Sequence, residues 1–265
     1  MNPPRVEIPL ALRLRGRNPN EGKGGDADLS ITPVDPEVCE LVAENFITVT
    51  PSLNMGKEHN LIPLRRPEAN GPPALARSRK RPDHGYGWKH SVLSALLDHI
   101  VRAYRVDAAR IHVTGFSMGG YGTWELGISS PERFATLMPI CGGGDTVLAK
   151  NIKHVPQWVH HGERDDIIPV SASKKMVDAL LRAGAEEVRF TRHPDAAHDS
   201  WTAAYGNTEV WRWMLGHRNR GAGEEVVAPD ANKVDVAQAV GDLASERCGY
   251  YNTPRLIHEG LPAAL

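Results

Sequence analysis

The sequence predicts an α/β fold, a mostly parallel sheet flanked by helices, and three observations lead there. From residue 88 onward, short apolar runs alternate with helical stretches of ten or more residues, the pattern of repeated strand and helix units. One glycine-rich turn, in "HVTGFSMGGYGTWEL" (112–126), joins an apolar run directly to a helical one. With 265 residues, 41% of them hydrophobic, the chain is long enough for one large core without requiring two domains.

Taken in order, the elements begin with "VEIPLALRL" (6–14), apolar and alternating, where Pro9 suits an edge or a strand start better than a central position. It breaks into "RGRNPNEGKGGD", a Gly/Asn/Pro-rich loop. Phe46, Ile47 and Val49 form a short strand closed by Pro51. Residues 54–83 show little periodicity, and their basic cluster "RSRKRP" reads as a solvated loop. Val92, Leu93, Leu96, Leu97, Ile100, Val101 and Tyr104 then recur at three- and four-residue steps, which describes an amphipathic helix. "RIHVTGF" reads as a buried strand, and the helix from Gly119 stops before Pro131. "FATLMPICGGG" and "VPQWVHHGERDD" are strands running into loops. "SASKKMVDALLRAG" is a helix with Ser171 as N-cap and Gly184 as stop, and "EEVRFTRHPDAAHDSW" is a last strand and loop before a helix over 207–216. We divide the chain into a main domain over 1–218 and an Ala/Gly/Glu-rich extension over 219–265, either partly disordered or a small docking helix.

A net charge of −1 and a pI near 6.9 give no reason to expect nucleic acid or an anionic membrane as partner. Cys39, Cys141 and Cys248 are far apart, so neither a disulfide framework nor a structural zinc site is suggested. His160 and His161 are adjacent, but no cluster at ligand spacing joins them, and no metal or other cofactor is expected. Cys141 reads as a small buried residue, and Trp158 as core. No apolar run approaches the ~20 residues a bilayer span needs, and there is no basic start followed by an apolar stretch. The chain as it stands reads as cytoplasmic, and as secreted if its true start lies upstream.

Chemistry concentrates at Ser117, the centre of a G-x-S-x-G run placed between strand and helix. The run alone is a weak signal; its strand, sharp turn and helix context is what a nucleophile elbow requires. Gly115 and Gly119 relieve crowding there, and the amide of Met118 faces the place where an oxyanion would form. A serine hydroxyl needs an imidazole to take its proton, and the imidazole needs an acid to hold its tautomer. Asp165, in "HGERDDIIP", is the best-placed acid; Asp166 is its solvated neighbour, and Asp145 ranks second. His198, in "AAHDSW", lies beyond the last strand and is the candidate base, whereas His193, beside Pro194, suits a structural role. Trp201 is either core or a wall of the substrate pocket.

These stretches, "YRVDAARIHVTGFSMGGYGTWELGISSPERFATLMPICGGGD", "VPQWVHHGERDDIIPVSAS" and "AAHDSWTAAY", resemble the α/β-hydrolase superfamily. The likeness is to its esterase branch, often described as predicted peptidases and similar to polyhydroxybutyrate-depolymerase-like, feruloyl-esterase-like and phospholipase/carboxylesterase enzymes. It covers about half the chain, residues 88–217. The resemblance implies the α/β-hydrolase fold, with Ser117 as nucleophile, Asp165 as acid and His198 as base. It also implies a strand followed by a His-Gly loop that supplies a second oxyanion amide. Here that loop has Arg15 where the family has histidine, so Arg17 would donate the second amide if Gly16 is the family glycine. The N-terminal strands are accordingly expected to be shortened. The implied activity is hydrolysis of a small-molecule carboxylic ester. Two alternatives stay open: a peptidase using the same machinery, and a non-catalytic binding protein of this fold, which the altered front end would suit.

Overall fold

The computed structural model of the protein describes residues 7–14, 35–51, 88 and 90–219. Six strands, β1 (Ile8–Leu14), β2 (Ile47–Val49), β3 (Val106–Phe116), β4 (Thr136–Ile140), β5 (Gln157–Gly162) and β6 (Val188–His193), form one sheet in the order β2-β1-β3-β4-β5-β6. Every pairing in it is parallel. Among the described residues six α-helices cover it: α1 (Pro36–Asn45), α2 (His90–Ala103), α3 (Met118–Ser129), α4 (Ser171–Arg182), α5 (Trp201–Tyr205) and α6 (Thr208–Leu215).

Strands buried on both faces must be apolar on both, and β1 shows it: Leu10, Leu12 and Leu14 join one core, while Ala11 points into the other. The first core lies under α2, α3 and α4, with Leu93, Leu97, Trp124 and Leu180. The second lies under α1, α5 and α6, with Val38, Tyr205, Trp211 and Met214. Trp158 is buried in this second core, as its setting in the sequence suggests. This layer also holds a buried cation: the Arg13 guanidinium lies 4.8 Å from the Tyr205 ring centroid and 5.7 Å from that of Trp211. The two aromatic faces offset part of its desolvation.

Several expectations need correcting. Helix α1 was not foreseen, although Asp35 accepts from Glu37 N–H as N-cap, Pro36 opens the first turn, and Val38 and Val42 share its buried face. The short helix α5 falls between the predicted loop ending at Trp201 and the predicted helix over 207–216, where no helix is expected. β3 begins at Val106, four residues before the predicted start. Ser171 is the first residue of α4 and not its N-cap; Val170 occupies that place, with no side-chain cap bond. Gly184 does end the helix, in a left-handed conformation at φ 81° that a side chain would strain. Pro9 sits in a strand with neighbours on both sides, but at its second residue, where the register with β3 shifts between Ile8 and Leu10. The missing N–H thus falls where the ladder is already broken.

The strand order reverses at the β1/β3 boundary, with β2 to one side and β4, β5 and β6 to the other. In such sheets the loops leaving adjacent strands diverge at the carboxyl edge and open a crevice there. Ser117 is the first residue after β3, at that reversal. Among the described residues no helix is long and apolar enough to cross a membrane. The expected extension from 219 lies almost wholly outside the described residues.

Candidate active site

Ser117 occupies one residue between the end of β3 and the start of α3, at φ 57° and ψ −119°. A non-glycine residue at positive φ is held there only by its surroundings. Its N–H donates to Ile140 O at 3.0 Å and lies 3.2 Å from Cys141 Sγ, while its carbonyl accepts from Tyr121 N–H. The turn also demands close backbone approach: a Cβ on Gly115 would stand 2.4 Å from Gly119 O and 2.7 Å from Leu14 O. Cys141, directly after β4, is the other non-glycine residue at positive φ among those described, at 39°. Two strained positions therefore face each other across the ends of β3 and β4. Burial pushes the Cys141 thiol up to about 12, so near neutrality it supports the serine's amide as a thiol and is no rival nucleophile. In the native protein at pH 8, iodoacetamide is expected to leave the Cys141 peptide unmodified and to alkylate it fully after unfolding in urea. Equal native and unfolded labelling, read by peptide mass spectrometry, would contradict this.

The candidate acid follows β5. Asp165 is buried, and its Oδ1 accepts from the N–H groups of Ile167 (3.0 Å) and Ile168 (2.8 Å). Burial acts to raise its carboxyl, but hydrogen bonds from His161, His198 and Ile168 N–H outweigh burial and hold it well below the usual carboxylate range. The candidate base arrives on the loop after β6, pinned against the loop that carries Asp165 by backbone contact. Arg164 N–H donates to Ala196 O, and a Cβ on Gly162 would stand 2.1 Å from Ala197 O. That approach brings His198 Nδ1 to 2.8 Å from Asp165 Oδ2 and His198 Nε2 to 2.9 Å from Ser117 Oγ. With the ionised acid accepting, Nδ1 carries the proton and Nε2 is free to accept from the serine hydroxyl.

Trp201 stands beside His198, its ring edge-on to the imidazole at 5.6 Å and packed on Phe116 at 4.3 Å. Met118 opens α3, so its N–H has no carbonyl one helical turn back and points from the positive end of the helix dipole. Arg17 and the rest of the loop after β1 lie outside the described residues; β1 itself ends with Leu14 paired to Gly115, two residues from the serine. Asp145 is not brought to this group, its Oδ1 accepting from Val147 N–H in a local turn, and Asp166 is exposed. His193 is not part of this group: it stacks on His160, with Nε2 3.2 Å from His160 Nδ1.

His161 is the residue that sequence reasoning passed over. Its side chain is fully buried, with Nε2 3.3 Å from Asp165 Oδ2. The i, i+4 spacing of a histidine at a strand end and an acid in the following loop was the available signal. One group of donor atoms fits a metal among the described residues, Cys141, Asp165 and His198, all within 4.8 Å of one another. Two of these are already hydrogen-bonded to each other, and the third is a thiol without its charge, so the set suits proton transfer better than metal binding.

Comparison with known proteins adds the following. A family described as phospholipase/carboxylesterase matches residues 81–207. A poly(3-hydroxyoctanoate) depolymerase of Pseudomonas fluorescens is 30% identical over 117 residues, 40% of this chain and 41% of that protein. A bifunctional acetylxylan esterase/xylanase of Neocallimastix patriciarum is 29% identical over 121 residues, 46% of this chain and 17% of that one. The chain thus spans less than half the length of either relative. Among solved structures, a thermostable esterase superposes with a TM-score of 0.60 at 28% identity, over 82% of this chain and 56% of its own. An acylaminoacyl peptidase of Pyrococcus horikoshii gives 0.55 over 90% of this chain and 40% of its own; at 14% identity it speaks for the fold alone.

Proposed function

The chain belongs to the α/β-hydrolase superfamily, in its esterase branch, and from that premise we propose that it hydrolyses small carboxylic esters through an acyl-enzyme on Ser117. The observation that carries this reading is the continuous hydrogen-bond chain from Ser117 Oγ through the two nitrogens of His198 to Asp165 Oδ2. As Ser117 Oγ attacks the ester carbonyl carbon, its proton moves to His198 Nε2. Asp165, kept ionised, faces the imidazolium that forms. The carbonyl oxygen becomes an oxyanion at the N-terminus of α3, where the Met118 N–H donates to it. Collapse of the intermediate breaks the ester C–O bond, and the departing alcohol takes the proton from Nε2. A water then gives its proton to His198 and attacks the acyl carbon, releasing the acid and restoring Ser117.

The second oxyanion donor is assigned to Arg17, because the chain leaves β1 beside the serine. Trp201 is assigned to the wall that holds the imidazole and borders the substrate. An ester fits better than an amide because an alkoxide needs less help from the acid in leaving. The test is a series of p-nitrophenyl esters, acetate to octanoate, set against p-nitroanilides of the same acyl groups. We expect turnover of the esters and none of the anilides. Comparable cleavage of the anilides would replace the ester reading with an amidase one, and no turnover of any member would contradict it.

A further inference from the structure

His161 meets acceptors on both sides of its ring. Its Nδ1 lies 2.7 Å from Ser173 Oγ, and its Nε2 lies 2.8 Å from Ile168 O and 3.3 Å from Asp165 Oδ2. The Ser173 hydroxyl in turn donates to Gly142 O at 2.7 Å. A hydroxyl has one proton. With that proton on the Gly142 carbonyl, Ser173 Oγ must accept from Nδ1, which therefore carries a hydrogen. The Ile168 carbonyl and the Asp165 carboxylate only accept, so Nε2 carries one too. A neutral imidazole has a single N–H and would leave one of these three short contacts as acceptor against acceptor, in a place closed to water.

We propose that His161 is a doubly protonated imidazolium paired with Asp165, so that one carboxylate is shared between two histidines and His161 positions it for His198. The pairing explains how a carboxylate with a fully buried side chain keeps its charge with His198 at rest: a buried ion needs a partner, and His161 is one. It also joins the acid to the elbow, since Ser173 ties His161 to Gly142, next to Cys141, whose sulfur contacts the Ser117 amide. Around the pair, the loop after β4 contributes Cys141, on which Asp165 and Asp199 both act, the loop after β6 contributes His198, and α4 contributes the Ser173 hydroxyl. In the proposed pair, a positive charge on the far side of Asp165 opposes the proton that His198 takes up.

The effect on rate rests on the ester-hydrolase reading; the protonation of His161 does not, and the experiment reads them apart. In the full chain labelled with 15N-histidine, with His161 assigned by its loss in His161→Gln, both ring nitrogens are expected to bear slowly exchanging protons at neutral pH. A bare nitrogen on His161 would overturn the proposal whether or not the protein is active. Glutamine can keep a donor toward Ile168 and Asp165 but lacks the charge. For His161→Gln we expect a lower kcat with KM unchanged, and the acid limb of kcat/KM moved to higher pH by about one unit. An unmoved limb would leave His161 a structural residue only and overturn its positioning role. Turnover absent in the unmodified protein would refute the ester-hydrolase reading and the positioning role with it, while the nitrogen spectrum still decides the ion pair.

Discussion

Ser117→Ala is expected to lower the turnover of p-nitrophenyl acetate by about a millionfold, leaving only what binding and the oxyanion site supply. In the proposed mechanism the loss is so large because Oγ is both the atom that attacks and the source of the proton that His198 accepts; without it the imidazole at 2.9 Å has nothing to activate. The same change should leave the fold intact. The serine's backbone bonds to Ile140 O and Tyr121 N are unaffected, alanine tolerates φ 57° no worse than serine, and the hydroxyl packs into no core. Thermal unfolding within about 0.5 kcal/mol of the parent, alongside the lost activity, is the paired result to look for.

Asp165→Asn comes next in size, with an expected fall in kcat/KM of about ten-thousandfold. Asparagine can still accept from Ile167 and Ile168 through its carbonyl oxygen. Its amide then faces His198 Nδ1, where a carboxylate oxygen stood at 2.8 Å. The amide donates, so the imidazole must turn its bare nitrogen inward and present N–H to the serine, which is the wrong tautomer for a base. Asp145→Asn should leave the rate unchanged, because the group it alters serves the local turn at Val147. Loss of activity in the second variant alone would reverse the assignment. The same residue contributes to acid stability, as do Asp107 and Glu187, whose carboxyls are also held low. Its folded carboxyl sits below the ordinary value of about 4, so its charge stabilises the fold above that pH. The contribution fades as pH falls through the lower, folded value. Asp165→Asn should therefore flatten the acid end of the stability curve.

Reading the sequence went furthest where local signals and tertiary demands coincide. From residue 90 on, β4 and β5 are apolar runs buried along their whole length, and α2 and α4 each carry one apolar stripe, so pattern and burial agree there. Ser117, Asp165 and His198 were legible for the same reason, each being tied to a strand end whose position could be read. Helix α1 was missed because its apolar stripe is only Val38 and Val42 wide, even though Asp35 and Pro36 mark its start. Helix α5 is too short to show a period. Pro9 pointed toward an edge, and only the register shift beside it reconciles a proline with a central strand. His161 was passed over, despite its i, i+4 spacing to Asp165, for another reason: its neighbour in sequence, His160, faces the opposite layer against Trp158 and His193, and only the pleat separates a packing histidine from one beside the candidate acid.

The central claim is that Ser117 is an activated nucleophile, and a fluorophosphonate probe tests it most directly. Phosphonylation requires a serine oxygen made nucleophilic by a base, and it needs no knowledge of the substrate. Unmodified protein should gain one covalent adduct, mapped to the peptide carrying Ser117, and Ser117→Ala should gain none. An unlabelled parent chain, or equal labelling of the alanine variant, would contradict the account.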